Sequence, residues 1–163
     1  MVEKASSSPE VSLQEITAST VRSILDLRIR PDQESYVASN AVSIAQAHFH
    51  PEAWFRAVYA AGVPVGFVML RDTTLVDPVP AQASLSLWRL MIDRSFQGRG
   101  FGRKALELAV AHARTRPGAE AFHTSYVEGE LAPRDFYLSF GFEPTGKPKE
   151  NGEIDLVFDL GRR

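Results

Sequence analysis

The stretch from Ser84 to Arg114 constrains this chain more than any other. Ser84 to Ile92 is dense in strand formers. It leads into Gln97-Gly98-Arg99-Gly100-Phe101-Gly102 and then into a helical run from Phe101 to Arg114. A strand, a glycine-rich turn and a helix in that order make an anion site. Backbone N–H groups point out of the helix start, the dipole favours negative charge, and glycine lets a phosphate approach closely. Three familiar turns fail on spacing. A P-loop closes on Gly-Lys-Ser/Thr, and here the residues are Gly102-Arg103-Lys104. A dinucleotide fingerprint needs a third glycine where Arg103 stands. A nucleophile elbow needs a serine between its glycines, and there is none. By itself the turn is a short pattern that a plain tight turn also explains.

The strand before it changes parity. Leu85 and Leu87 are odd, whereas Trp88, Leu90 and Ile92 are even. One inserted residue near Leu87 or Trp88, a β-bulge, would return all of them to one buried face. On the helix, Phe101, Ala105, Leu108, Ala109 and Val110 form the predicted apolar side, with Arg103, Lys104, Glu107 and Arg114 on the polar one.

Earlier in the chain, Val11 to Ile16 alternates as a strand does, and Thr20 to Leu27 has helical spacing. A second helix is expected from about Asn40, ended by Pro51. Trp54–Ala61 and Val65–Arg71 read as a hairpin around Gly62-Val63-Pro64. Asp77 to Pro80 reads as an exposed loop. After the glycine turn come a strand over Ala121–Val127 and a short helix over Pro133–Phe140 that stops at Gly141. Two strands, Phe142–Thr145 and Ile154–Leu160, close the chain.

The length of 163 residues suits one domain, 1–163, with a polar, Ser-rich and frayed Met1–Pro9. A net charge of −2 does not indicate a nucleic-acid surface. The chain has no cysteine, which excludes disulfides, thiolate metal sites and a cysteine nucleophile. It shows no membrane-spanning apolar run and no signal peptide, so a cytoplasmic protein is the expectation.

Three blocks carry a family resemblance. The first is Leu87-Trp88-Arg89-Leu90-Met91-Ile92-Asp93 with the Gln97–Gly102 loop. The second is Arg134-Asp135-Phe136-Tyr137-Leu138-Ser139-Phe140-Gly141-Phe142. The third is Gln33 to Asn40 with Ser43-Ile44-Ala45. With the order β-α-α-β-β-β-α-β-α-β-β, they resemble the GCN5-related N-acetyltransferases (GNAT) over nearly the whole chain. The third block, with Trp88 to Asp93, looks like the bacterial spermine/spermidine branch.

The resemblance implies an α/β fold: a mixed, mostly antiparallel sheet with helices on both faces. It implies acetyl-CoA as co-substrate, no metal, and direct attack by a primary amine, a polyamine leading. Gln97, Gly98, Gly100, Gly102 and Arg103 would hold the pyrophosphate, with Arg99 and Lys104 adding charge. Leu90, Met91 and Ile92 would offer backbone bonds to the pantetheine, and a central-strand irregularity would aim an N–H at the thioester carbonyl. Tyr137 would be the proton donor to the departing thiolate. Glu34, Glu128 and Glu130 are the carboxylates expected nearest a cationic acceptor. Two departures stand out: Glu130 where the family often has asparagine, and Pro133 where it often has alanine.

Simpler readings stand beside these. Tyr137 alone reads as a core aromatic, spaced with Pro133 and Phe140. His112 reads as a packed histidine, and His48 and His50 as favourable charges at a helix end. His123 would face either the core or the cleft. The expected partner is a small-molecule amine, without nucleic acid or membrane, and a homodimer is compatible. Rival functions are a GNAT enzyme acting on a protein N-terminus, an amino acid or an aminoglycoside, a silent CoA-binding sensor, and an unrelated nucleotide-binding module.

Overall fold

The computed structural model describes residues 9–161, with the side chain of Lys147 left aside. The expected frayed end therefore lies, but for Pro9, outside the described residues. The strands are β1 (Val11–Gln14), β2 (Ala53–Ala60), β3 (Val63–Asp72), β4 (Leu85–Ile92), β5 (Ala121–Val127), β6 (Glu143–Pro148) and β7 (Glu153–Asp159). The helices are α1 (Val21–Leu25), α2 (Asn40–His48), α3 (Phe101–Arg114) and α4 (Arg134–Phe140), with 3₁₀ turns at Pro31–Gln33 and Thr73–Leu75. The element order is the expected one.

The strands form one sheet in the order β1-β2-β3-β4-β5-β7-β6. Only β4 and β5 run parallel. The hairpin between β2 and β3 is tighter than the sequence suggested. Ala60 pairs with Val63, and the two-residue turn places Ala61 and Gly62 at φ 50° and 77°. Positive φ at both central residues matches the strand twist, which favours the short turn over the longer one expected around Gly62-Val63-Pro64.

Both faces of the sheet are covered. On one, β-strand side chains such as Val68, Leu85 and Phe122 pack with Phe101, Leu106 and Val110 of α3 and Tyr137 of α4. On the other, Phe67, Met69 and Met91 pack with Ile24 of α1 and Ile44 of α2. Phe101, Ala105, Ala109 and Val110 of the expected apolar side of α3 are buried, and Leu106 takes the place expected of Leu108. Leu106 and Ala113 are fully buried, and Leu108 is only half-buried. Burying a leucine of that kind is worth about 1.5–3 kcal/mol, so Leu106 fixes the helix rotation.

The expected bulge is present. Met69 pairs with Arg89 and Leu70 with Leu87, which leaves Trp88 without a partner on β3. Leu85 and Leu87 before the bulge and Leu90 and Ile92 after it all face the α3 side. Trp88, expected on that face, lies instead on the other with Met91, because it is itself the inserted residue.

Candidate active site

A cleft of about 730 Å³ opens where β4 and β5 part. The two strands pair only at Leu85–Phe122 and Ser86–His123. Beyond that point β4 keeps β3 on one side and has no strand on the other. Its backbone from Leu87 to Ile92 therefore borders an open slot, lined by Leu90, Met91 and Ile92 and, across from them, by Thr124 to Val127. Unpaired strand edges need hydrogen-bonding partners, and an extended amide-containing chain supplies them.

The glycine turn closes one end. Gly98 and Gly100 have φ 75° and 83°, a left-handed conformation that other side chains seldom adopt. Gly100 caps α3 without any side-chain bond, and the first intrahelical bond runs from the Lys104 amide to the Gly100 carbonyl. The amides of Phe101, Gly102 and Arg103 are thus left for an outside acceptor. Gln97 lines the cleft, but its side-chain amide is engaged within the protein. Its Nε2 donates to the Ile92 carbonyl at 3.0 Å and to Gln33 Oε1 at 2.8 Å, clamping the turn to the end of β4 and to the Pro31–Gln33 turn. Asp93 adds a second clamp. Its carboxylate accepts from the Arg28 and Ser95 amides. Burial works to raise its pKa, and those amide bonds outweigh it and hold the carboxyl below its ordinary value.

Gly98, Gly100, Gly102 and Arg103 line the cleft with Gln97. Arg103 also bonds the Ser139 carbonyl at 3.4 Å and lies near Glu107. Arg99 turns back to the Ser95 carbonyl and Phe96, and Lys104 to Glu107; neither lines the cleft. This donor set suits a pyrophosphate at the turn and a pantetheine along the slot.

Tyr137 lines the cleft, 8% exposed, against Phe136 and Phe142. Burial raises the phenol's pKa, opposed by the hydrogen bond with buried Thr124. The phenol accordingly keeps its proton at neutral pH and remains a donor. Pro133, the residue before α4, also lines the cleft.

The acceptor end differs from the expectation. Glu34, Glu128 and Glu130 are exposed and do not line the cleft. The lining carboxylates are Glu153 and Asp155 of β7, beside Ser125 and His123 of β5. Ser125 Oγ donates to Glu153 Oε2 at 2.9 Å. Lys149 Nζ lies 2.9 Å from Asp155 Oδ1 and 3.5 Å from Glu153 Oε2, and the Asp155 bond raises its pKa. Facing them is Arg89, whose guanidinium bonds the Trp88 carbonyl and Gln46 Oε1. Its Nε is buried without a partner. Burial lowers the Arg89 pKa, and nearby Glu153 opposes that. A signal for Glu153 and Asp155 existed in the sequence: they alternate with Ile154, Leu156 and Phe158, which face the core. Tyr36 also lines the cleft and roofs this part of it, with its hydroxyl so close to Gly129 that an added Cβ there would clash with it.

His112 is not in the cleft. It stacks on Trp54 with ring centroids 4.0 Å apart, and its Nε2 is 3.9 Å from buried Asp72, which also pairs with Arg116 at 2.9 Å. Among the described residues no cluster of His, Cys, Asp and Glu could hold a metal ion, and no helix is long and apolar enough to cross a membrane.

Comparisons with known proteins agree with this geometry. The chain is 28% identical over 153 residues to the spermine/spermidine N(1)-acetyltransferase of Bacillus subtilis strain 168, covering 92% of this chain and 99% of that one. It superposes on an aminoglycoside 6'-N-acetyltransferase complexed with coenzyme A with a TM-score of 0.67, at 17% identity, over 94% of this chain and 98% of that one. The GNAT domain of S. lividans PAT gives 0.70 at 18% identity, over 91% and 89%. The sequence model of the acetyltransferase (GNAT) family matches residues 21–142. The chain belongs to the GNAT family of N-acetyltransferases, whose acetyl donor is acetyl-CoA.

Proposed function

We propose that the acceptor is a primary amine of a small polyamine, spermidine or spermine, acetylated by direct attack in a ternary complex. One observation carries this reading: the cleft wall formed by Glu153 and Asp155, beside Val127 and Ser125 of β5, already holds an ammonium, that of Lys149. The names of the Bacillus relatives support it.

Acetyl-CoA supplies an acyl thioester. The amine must shed a proton before it attacks, since an alkyl ammonium has a pKa of roughly 10.4. Its nitrogen then bonds to the acetyl carbon, and the bond from that carbon to sulfur breaks. An amide at the Trp88 bulge donates to the carbonyl oxygen during this step. Tyr137 gives its phenolic proton to the departing sulfur, and the proton that the nitrogen sheds as the amide forms returns through water to restore the phenol.

Arg89 favours a second reading. No carboxylate of the described residues lies within ion-pair distance of it, although it is half-buried in the cleft. A desolvated cation of this kind suits an acceptor with an acidic group beside its amine, such as an amino acid or a peptide N-terminus. An acceptor panel scored by mass of the acetylated product separates the two. Acetylated spermidine supports the first, and acetylation confined to zwitterions rejects it in favour of the second.

A further inference from the structure

The ammonium in the cleft wall belongs to the protein itself. Lys149 stands at the start of the β6–β7 turn, and backbone bonds close that turn without help from its side chain. The Lys149 amide donates to the Glu153 carbonyl at 2.8 Å, and the Gly152 amide to the Lys149 carbonyl at 2.9 Å. Asn151 Oδ1 accepts from the Glu153 amide at 3.1 Å. The ion pairs to Glu153 and Asp155 are therefore additional to the fold of the turn. They are also weakly held, because the Lys149 side chain is 45% exposed and its flexible stem can swing into solvent. Ser125, by contrast, fixes Glu153 from a neighbouring strand at 2.9 Å. Glu153 is anchored by Ser125, Asp155 stands two residues along the same strand, and the exposed ammonium is the movable member.

We infer that Lys149 occupies, in the free enzyme, the place that an ammonium of the acceptor takes on binding, and so sets acceptor affinity by competing for Glu153 and Asp155. The inference rests on the amine-acceptor reading. Its consequence is the reverse of losing a contact residue: removing the Lys149 charge strengthens acceptor binding.

The test uses calorimetric titration of spermidine onto the full chain saturated with CoA, beside steady-state kinetics. Lys149→Met, and Lys149→Gln as a second variant should the first melt early, should lower the spermidine Kd by about two- to fivefold, the factor expected for displacing an exposed ion pair. The acceptor KM should fall in parallel, while the KM for acetyl-CoA, held at the glycine turn, should stay. Lys149→Arg keeps the competitor and should bind spermidine no more tightly than the wild type. Asp155→Asn should weaken binding. A folded Lys149→Met with unchanged, weaker or absent spermidine binding overturns the inference. Tighter spermidine binding without acetylation of any amine would remove the acceptor reading and leave the displacement intact. Turnover of amines without the fall in Kd would remove the displacement alone.

Discussion

Ser86 pairs with His123, and beyond that pair β4 and β5 separate. This parting makes the site. It opens the backbone of β4 to the cleft, brings Tyr137 of α4 into its lining, and leaves the glycine turn following β4 on one side and Glu153 and Asp155 of β7 beside β5 on the other.

Tyr137→Phe keeps the ring among Phe136 and Phe142 but deletes the proton donor. General acid catalysis contributes ~10²–10⁴-fold, so kcat should fall by that order. Loss of the bond with Thr124 should cost about 0.5–1.5 kcal/mol of stability. Near-wild-type turnover in the folded variant would assign the proton to water or His123.

Gly100 offers a charge test with a built-in control. Nothing lies within 4 Å of a Cβ added there, so the obstacle to substitution is its φ of 83°. Asparagine and aspartate tolerate that conformation about equally. Gly100→Asn should keep most of the rise in melting temperature given by acetyl-CoA, and Gly100→Asp should abolish it through repulsion of the pyrophosphate. Equal shifts in both would place the phosphates elsewhere.

Gly129→Ala should disturb the acceptor and spare the donor. The added methyl would meet the Tyr36 hydroxyl, and the ring can rotate away, so the melting temperature should change little. The roof over the acceptor end would then open. A raised acceptor KM with unchanged acetyl-CoA KM is expected, and the opposite pattern would put Tyr36 on the cofactor side.

His112 makes stability depend on pH. Burial lowers its pKa, Arg116 lowers it further, and Asp72 works the other way. The unfolded chain, with an ordinary pKa of about 6.5, then binds protons that the folded chain refuses. Stability should be full above that value and fall as pH drops from it toward the folded pKa. His112→Phe keeps the stack on Trp54 and should flatten melting temperature against pH over that window. An unchanged slope would assign the acid sensitivity to other groups.

The fold was legible because its signals are local. Parity through Leu85, Leu87, Leu90 and Ile92 located the bulge, and Gln97 to Gly102 located the turn. The acceptor wall was not legible. Arg89, Ser125 and Glu153 lie on three strands far apart in sequence, and only the strand order β4-β5-β7 brings them to one cleft. Glu34, Glu128 and Glu130 lie in segments flanking the cleft, where the family resemblance suggested a role and side-chain direction, invisible in sequence, decided otherwise. The two-residue turn at Ala61-Gly62 was hidden by Pro64, which reads as a turn residue and stands instead in β3.

The most direct test of the account is release of CoA thiol by the wild-type chain, with acetyl-CoA and spermidine, beside Gly100→Asp. The account predicts spermidine-dependent thiol release matched one to one by acetylspermidine. Added salt should raise the spermidine KM, and the Gly100→Asp reaction should be lost. Binding of acetyl-CoA without thiol release for spermidine or any other amine would contradict it and make the protein a CoA-binding sensor.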